Sequence, residues 1–386
     1  MFPGKKSCWL KLVDLVPNEE LTDLLTSAVA ACPTKEVLWL RAAKQQLKLG
    51  ELASCQTLLT QAVENVPGSE EVRLALVKVA VFAGRFSEAR KIIREALTVF
   101  NSGRVWMKAI QLEREVGNID EAVSMSKEAL DQHPTSWKIW AMLIQMTLDS
   151  GDSESACRIA SEAIDKVGKN SIIWGIAADA YVAAGECAVA RSLLERGRLR
   201  LPSSDYLWLK SVQLELEANR VDLATLMLSK AINACPTSGL LWAEAIKLEP
   251  VQTRHPKCLD ALKKCPESGL VVAEVATFFW KVKHQTDKAK KWFENAIKLE
   301  PSNGDIWAAA IACEVEQGDV DLVRSLIQKY VSAEPNRGLL WNRVVKRVEN
   351  WRKDWVAKMR VVLDEEYSKE SSLIDSSIAL SEIFNS

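Results

Sequence analysis

Apolar residues recur at helical spacing along the chain, and they predict two alternating kinds of helix. One kind is illustrated by the segment RVWMKAIQLEREVG, in which one broad stripe of a helix is covered by Val105, Trp106, Ala109, Ile110 and Leu112. In the helix predicted after it, Ala122 and Ala129 stand seven positions apart, which places them on one face two turns apart. Small residues let a neighbouring backbone come close. The pattern therefore indicates a helical hairpin with a bulky first helix and a small-residue second helix.

This hairpin repeats with a period of 34 residues, and tryptophan marks its register. The marked positions are Trp39, Trp106, Trp140, Trp174, Trp208, Trp242, Trp307 and Trp341. Arg73 stands in the vacant slot between the first two. A fixed period of this length is typical of stacked arrays in which each unit contacts only its neighbours. The predicted fold is all-α: a right-handed α-α superhelix, or solenoid, of about ten helix-turn-helix repeats.

Turn and stop residues recur at fixed distances from the tryptophan slot. Eleven residues after it stand Gly50, Gly84, Gly117, Gly151, Gly185, Gly318 and, once, Asn219. Both residue types tolerate positive φ, so they predict the turn between the two helices. Twenty-eight residues after the slot stand Pro67, Pro134, Pro202, Pro236 and Pro335, which predict the end of the second helix.

The array is irregular at three places. Near residues 242–271 a unit is shortened, with Pro250 and Pro256 predicted to flank a short loop, and one extra residue precedes Ala289. The predicted organisation is a partial repeat over 1–36, an array of repeats over 37–350, and a capping helix with a polar tail over 351–386. No turn glycine follows Trp341, so the helix it opens is expected to run on as a longer terminal pair or cap.

The eight tryptophans are interpreted as a structural repeat core that fills the gaps between helices, in preference to a stacking platform for ligand or base. Seven residues after the tryptophan, a glutamate recurs as Glu113, Glu215, Glu249 and Glu314. Two interpretations stay open for it. It either lies on a solvated helix face or forms a hydrogen bond or an ion pair that holds the first helix against its neighbour.

Composition narrows the functions further. The chain has 50 Lys and Arg against 51 Asp and Glu, so no overall field draws it to nucleic acid or membrane. Nine scattered cysteines form no Cys-x-x-Cys pair, and the three histidines (His133, His255 and His284) have no metal-ligand spacing. His255 and His284 are expected in irregular segments. We therefore predict no catalytic residues, metal site, cofactor, small-molecule substrate or membrane span, and hence no enzyme.

The spacing W-x-x-A-x-x-x-E in the first helix resembles the HAT (half-a-tetratricopeptide) repeat, whereas a tetratricopeptide repeat would have leucine and tyrosine at these places. Ala109 with Glu113 and Ala245 with Glu249 carry the resemblance. The shortened unit, with its phrase DALKKC, is similar to the C-terminal repeat region of the pre-mRNA-splicing factor six family. The likeness runs over about residues 5–365.

This resemblance implies a nuclear, non-catalytic scaffold that binds and bridges spliceosomal snRNP proteins in tri-snRNP assembly, with RNA contacts that are weak or indirect. Members of that family are longer at the N-terminus, so the chain is expected to be a fragment, a shortened paralogue or a truncated gene model.

Two alternatives stay open. One is a HAT-repeat scaffold in mRNA 3′-end cleavage or ribosomal RNA processing. The other is a direct RNA binder that reads one base per repeat. Such a binder needs regular polar residues along its first helices. The positions two after the tryptophan show no such regularity, since they hold Arg41, Lys108, Met142, Ile176, Lys210 and Glu244.

Overall fold

A computed structural model describes residues 6–16 and 20–367, and these residues fold as α-helices joined by tight turns. They belong to two compact units, residues 1–167 and 168–386. The helices of the first unit are α1 (Lys6–Leu15), α2 (Leu21–Ala31), α3 (Glu36–Lys48), α4 (Leu52–Asn65), α5 (Glu70–Phe82), α6 (Phe86–Phe100), α7 (Gly103–Val116), α8 (Ile119–Gln132), α9 (Trp137–Asp149) and α10 (Ser153–Val167).

The second unit continues the same alternation. Its helices are α11 (Ser171–Ala183), α12 (Cys187–Arg200), α13 (Asp205–Glu217), α14 (Val221–Ala234), α15 (Gly239–Leu248), α16 (Val251–Lys264), α17 (Gly269–Thr277), α18 (Thr286–Leu299), α19 (Gly304–Gln317), α20 (Val320–Ala333), α21 (Leu339–Val345) and α22 (Trp355–Glu366). A π-helical turn, Phe278–Val282, continues α17, and a short 3-10 turn, Val348–Asn350, precedes α22.

Consecutive helices pair as the period predicts, and the pairs stack within each unit. The first helices of neighbouring repeats pack side by side, as α3 does with α5 and α13 with α15. Each second helix packs on its own first helix and on the first helix of the next repeat, as α6 does on α5 and α7. The predicted all-α helical-repeat solenoid is confirmed in each unit, while its right-handed sense stays a prediction.

The turn residues have the predicted backbone conformation. The six turn glycines have φ between 73° and 90°, and Asn219 has a φ of 57°. Glycine adopts this left-handed region without the steric conflict that a Cβ introduces. The chain can therefore reverse direction within about three residues and lay the second helix directly on the first.

The extra residue before Ala289, in the repeat formed by α17 and α18, has a local structural explanation. The π-helical turn Phe278–Val282 takes up one additional residue, as π-bulges do. The turn residue moves one place along the chain as a result, and His284 occupies it with a φ of 52°. The insertion thus leaves the pairing of α17 with α18 intact.

The predicted loop around Pro250 and Pro256 is wrong. Helix α16 begins at Val251 and contains both Pro256 and His255. A proline's fixed φ suits a helix, so Pro256 is accommodated as the sixth residue of α16, at the cost of the helical hydrogen bond to the Gln252 carbonyl and of crowding between its ring and that carbonyl. His255 therefore lies on a helix and not in an irregular segment.

No turn glycine stands eleven residues after Trp242, where the chain has Thr253. The side chain of the next residue, Arg254, makes the contacts that join α15 to α16. The guanidinium of Arg254 donates to the backbone carbonyl of Glu249 at 2.8 and 3.0 Å and to that of Lys247 at 3.1 Å. These carbonyls lie at the C-terminal end of α15, where backbone C=O groups have no N–H donor within the helix. The side chain thus caps α15 and fixes the start of α16 in the same set of contacts.

Replacing Arg254 with alanine is expected to lower the free energy of unfolding by about 1–3 kcal/mol, because hydrogen bonds from a charged donor are lost at a helix end. Urea unfolding measures the change. Lys257→Ala on the same helix is the control for loss of a cation that does not cap α15, since it removes only a long ion pair to Glu249, at 3.8 Å, and a cation–π contact with Trp242, at 5.6 Å. Equal effects of the two substitutions would contradict the capping role.

The C-terminal end departs from expectation in one respect. The helix that Trp341 opens ends at Val345, so it does not run on through the segment that follows, and α22 packs back on α19, α20 and α21. Aromatic contacts fix this arrangement: the Trp341 and Trp355 rings stack with centroids 6.0 Å apart, and the Tyr330 hydroxyl donates to the Trp355 carbonyl at 2.9 Å. The predicted polar tail lies, from residue 368 onward, outside the described residues.

Candidate functional site

The structure places seven of the eight marked tryptophans in the interior. Their exposed fractions run from 0 % for Trp174 to 7 % for Trp242, and the others are Trp39, Trp106, Trp140, Trp307 and Trp341. Trp208 is half-buried. The tryptophans thus lie where a packing role requires them, and the contribution of each to stability stays a prediction.

The indole N–H explains why tryptophan and proline recur together. In most repeats it donates to the backbone carbonyl six residues earlier, at the stop position of the preceding helix. The bonds are Trp39 to Pro33 (2.7 Å), Trp140 to Pro134 (2.9 Å), Trp174 to Gly168 (2.8 Å), Trp242 to Pro236 (2.9 Å) and Trp307 to Pro301 (2.8 Å). In the vacant slot, Arg73 donates to the Pro67 carbonyl at 3.5 Å.

This bond was not foreseen from the sequence, although the constant six-residue spacing signals it. Because Gly168 accepts as well as any proline, the bond depends on the position of the carbonyl and not on the proline ring. Each indole therefore fills a gap between helices and also ties the preceding turn to the start of its own helix.

Small residues on the second helices make room for the rings. Each of the second helices α4, α6, α8, α10, α12 and α14 has two such positions, seven residues apart, and the small residues at both are fully buried. The first position holds Cys55, Ala89, Ala122, Ala156, Ala190 and Ala224, and the second holds Ala62, Ala96, Ala129, Ala163 and Ala231. In one repeat the second position is Gly197, which packs against Trp174, and a Cβ there would lie 3.1 Å from the ring carbons. The close approach leaves little room for any larger residue at this position.

The basic run Arg196–Arg200 covers two of these rings. The guanidinium of Arg198 lies 4.5 Å from the ring centroid of Trp208, and those of Arg196 and Arg200 lie 5.9 and 5.6 Å from that of Trp174. Burial lowers the pKa of Arg198. Arg198 is thus half-buried over the Trp208 ring, while Arg196 and Arg200 are exposed and contact the edge of the tryptophan packing through longer cation–π contacts.

The recurring glutamate belongs to ion pairs between repeats. The carboxylate of Glu113, 6 % exposed, accepts two hydrogen bonds from Arg90 at 2.6 and 2.7 Å. Glu215 accepts from Arg191 at 2.7 Å, and Glu314 pairs with Lys290 at 2.6 Å. In each case the cation comes from the second helix of the preceding repeat. Of the two open interpretations, the ion pair that fixes neighbouring helices holds at these three positions.

The first helices of the second unit also carry ion pairs between neighbouring repeats. Lys210 of α13 contacts both carboxylate oxygens of Asp179 of α11, at 2.8 and 2.9 Å. Lys247 of α15 lies 3.3 Å from Glu274 of α17. The Glu274 carboxylate raises the pKa of Lys247, and burial raises that of Glu274. We call the face defined by Asp179, Lys210, Lys247 and Glu274 the first-helix face.

Residues with reactive side chains are dispersed. Within residues 6–16 and 20–367, no group of three or more His, Cys, Asp or Glu side chains has the geometry to hold a metal ion. The nine cysteines are free thiols. Burial raises the pKa of Cys258 to about 11 and that of Cys313 to about 12, which disfavours the nucleophilic thiolate at neutral pH.

None of the described helices has the length and apolar character of a membrane span.

Comparison with known proteins finds sequence relatives but no matching family model. The chain is 37 % identical over 101 residues to Protein STABILIZED1 of Arabidopsis thaliana and 37 % identical over 100 residues to human Pre-mRNA-processing factor 6. It is 32 % identical over 100 residues to Pre-mRNA-splicing factor prp1 of Schizosaccharomyces pombe. Each alignment covers 26 % of this chain and 10–11 % of the relative.

Solved structures of helical-repeat proteins align over a larger share of the chain at low similarity. A tetratricopeptide repeat protein from Parabacteroides merdae aligns over 76 % of this chain and 97 % of its own, with a TM-score of 0.36 and 11 % identity. The Cut9–Hcn1 structure aligns over 93 % of both chains, with a TM-score of 0.35 and 10 % identity. About a quarter of this chain thus forms a HAT-repeat region similar to pre-mRNA-processing factor 6 and its relatives, and this region corresponds to about a tenth of their length.

Proposed function

We propose that this chain is a non-catalytic scaffold in pre-mRNA splicing that binds and bridges snRNP proteins during tri-snRNP assembly. Its place of action under this proposal is the nucleus. Its contacts with RNA are weak or made through protein partners, in keeping with a nearly balanced charge of 50 basic and 51 acidic residues.

One observation carries the proposal: a segment of 100 residues is 37 % identical to human Pre-mRNA-processing factor 6. The architecture supports it, because side-by-side first helices in each unit offer a continuous polar face to a partner. The first-helix face carries charged side chains that pair between repeats, and charged groups on such a surface contribute more to partner specificity than to affinity.

The test is affinity purification from nuclear extract with the full chain as bait. The expected result is recovery of tri-snRNP proteins, identified by mass spectrometry, together with nuclear staining of the tagged chain in cells. An unrelated protein that carries the same tag serves as control bait.

Two outcomes would contradict the proposal. Recovery of mRNA 3′-end cleavage factors or ribosome-assembly factors in place of snRNP proteins would assign the chain to the alternative scaffold. Recovery of RNA that persists after protein removal would favour the direct RNA binder.

A further inference from the structure

Positive charge concentrates in one part of the second unit. Residues 251–299, from α16 through α18, hold ten Lys or Arg and five Asp or Glu, which leaves 40 basic and 46 acidic residues elsewhere. Lys283, Lys288 and Lys291 are exposed at the π-helical end and on α18. This local excess stands out because the chain as a whole is nearly neutral.

Half-buried aromatic rings lie among these lysines. The rings of Phe279, in the π-helical turn, and Trp292, on α18, are nearly parallel, with centroids 6.5 Å apart and an interplanar angle of 5°. The Lys288 ammonium lies 5.9 Å from the Phe279 centroid, and the Lys283 ammonium lies 5.6 Å from that of Phe278. We call Phe279, Trp292, Lys283, Lys288 and Lys291 the basic–aromatic surface.

The π-helical turn creates this juxtaposition. The turn contains the aromatic run FFW, in which Phe278 and Trp280 are buried and Phe279 is half-buried. The Phe279 ring packs against the partly buried ring of Trp292 and is not fully enclosed by the core. Lys283 follows the π-helical turn directly. π-bulges of this kind are frequent at functional sites.

We propose that the basic–aromatic surface binds an acidic protein segment that carries an aromatic or aliphatic anchor. The anchor would pack on the Phe279 and Trp292 rings while its carboxylates pair with the exposed lysines. This inference rests on the proposed role as a protein-binding scaffold, but it does not depend on the splicing pathway.

Charge favours a peptide over single-stranded RNA as the occupant. A polyanion that extended beyond this surface would meet the net negative remainder of the chain, whereas a short acidic segment would meet only the local excess of lysine. The lysine ammonium groups beside the Phe278 and Phe279 rings supply the cations with which the carboxylates of such a segment would pair.

The test uses the full chain and a short fluorescein-labelled peptide rich in glutamate with one central phenylalanine, with binding followed by anisotropy at physiological salt. Reversing all three lysines (Lys283→Glu, Lys288→Glu, Lys291→Glu) is expected to weaken binding by about tenfold or more. The matched control reverses Lys127, Lys166 and Lys230, exposed lysines on α8, α10 and α14. A milder set, with glutamine at the first three positions, is expected to give an intermediate loss and guards against misfolding.

Four results would overturn the proposal: no binding by the unaltered chain, equal loss in the control variant, equal binding of the peptide with serine in place of phenylalanine, or tighter binding of a labelled oligouridylate of the same charge. Failure of the proposed splicing function is distinguishable, because it would change the proteins recovered from nuclear extract while peptide binding remained. Circular dichroism melting confirms that each variant is folded.

Discussion

Replacing Trp174 with alanine is expected to lower the free energy of unfolding by about 3–5 kcal/mol, the range for removal of a fully buried aromatic ring. The side chain is 0 % exposed, and its N–H bond to Gly168 at 2.8 Å is lost with the ring. Gly197 packs directly on the ring, so a cavity opens between α11 and α12. Urea unfolding measures the loss, and hydrogen exchange locates it in α11 to α13.

Trp208→Ala is the matched control, because the same residue type occupies the same repeat position but is half-buried. Its hydrogen bond to Pro202 is also long, at 3.5 Å. We expect a loss of about half that of Trp174→Ala, since less apolar area leaves water on folding. A Trp174→Ala variant as stable as the unaltered chain would refute the packing role of the repeated tryptophans.

The second large effect is expected from Arg90→Ala, which should cost about 2–3 kcal/mol. Removing one partner of a buried ion pair costs about 3–5 kcal/mol because it leaves an uncompensated charge. The expected loss of stability is smaller here because the Arg90 side chain is 29 % exposed. In addition, Asn118 still donates a hydrogen bond to Glu113 at 3.0 Å in the variant. A double-mutant cycle with Glu113→Gln separates the pair interaction from other losses.

The pH dependence of stability provides a second readout of this pair. Hydrogen bonding by Arg90 lowers the pKa of Glu113 in the folded chain. The pair's contribution is therefore present above the ordinary glutamate pKa and is lost as the pH falls through the lowered folded value. Glu113→Gln should flatten that part of the acid unfolding profile.

Arg104→Ala provides the control for charge removal alone, since Arg104 and its partner Glu71 are 56 % and 40 % exposed. An exposed pair contributes about 0–1 kcal/mol. If Arg90→Ala cost no more than Arg104→Ala, the ion pairs between repeats would not hold neighbouring helices together.

Much of the fold could be predicted because each repeat encodes its structure locally. The apolar stripe around Trp106 predicts a helix, Gly117 predicts its end with a φ of 90°, and the small residues predict close packing. Repeat proteins favour such prediction because each hairpin contacts only its neighbours. Where the period was broken, local rules failed. Pro256 and the missing glycine suggested a loop, since the capping contact of Arg254 is invisible without the coordinates.

The candidate sites depend more on tertiary contacts. The 34-residue register identified the glutamate of each repeat but not its partner, because Arg90 and Arg191 stand 23 and 24 residues before Glu113 and Glu215. The ring contacts of the basic–aromatic surface could not be predicted from the sequence either. The phrase KAKKW shows lysine next to tryptophan, but only the π-helical turn brings Phe279 parallel to Trp292.

The sequence by itself determined the all-α repeat, the positions of its turns and the burial of its small residues, because these depend on spacing within about one hairpin. The tertiary structure alone decided which charges pair, where Arg254 caps α15, and which aromatic rings reach the surface. Such contacts join side chains that approach only when neighbouring helices are packed. Their geometry is therefore a property of the folded unit and not of the local chain.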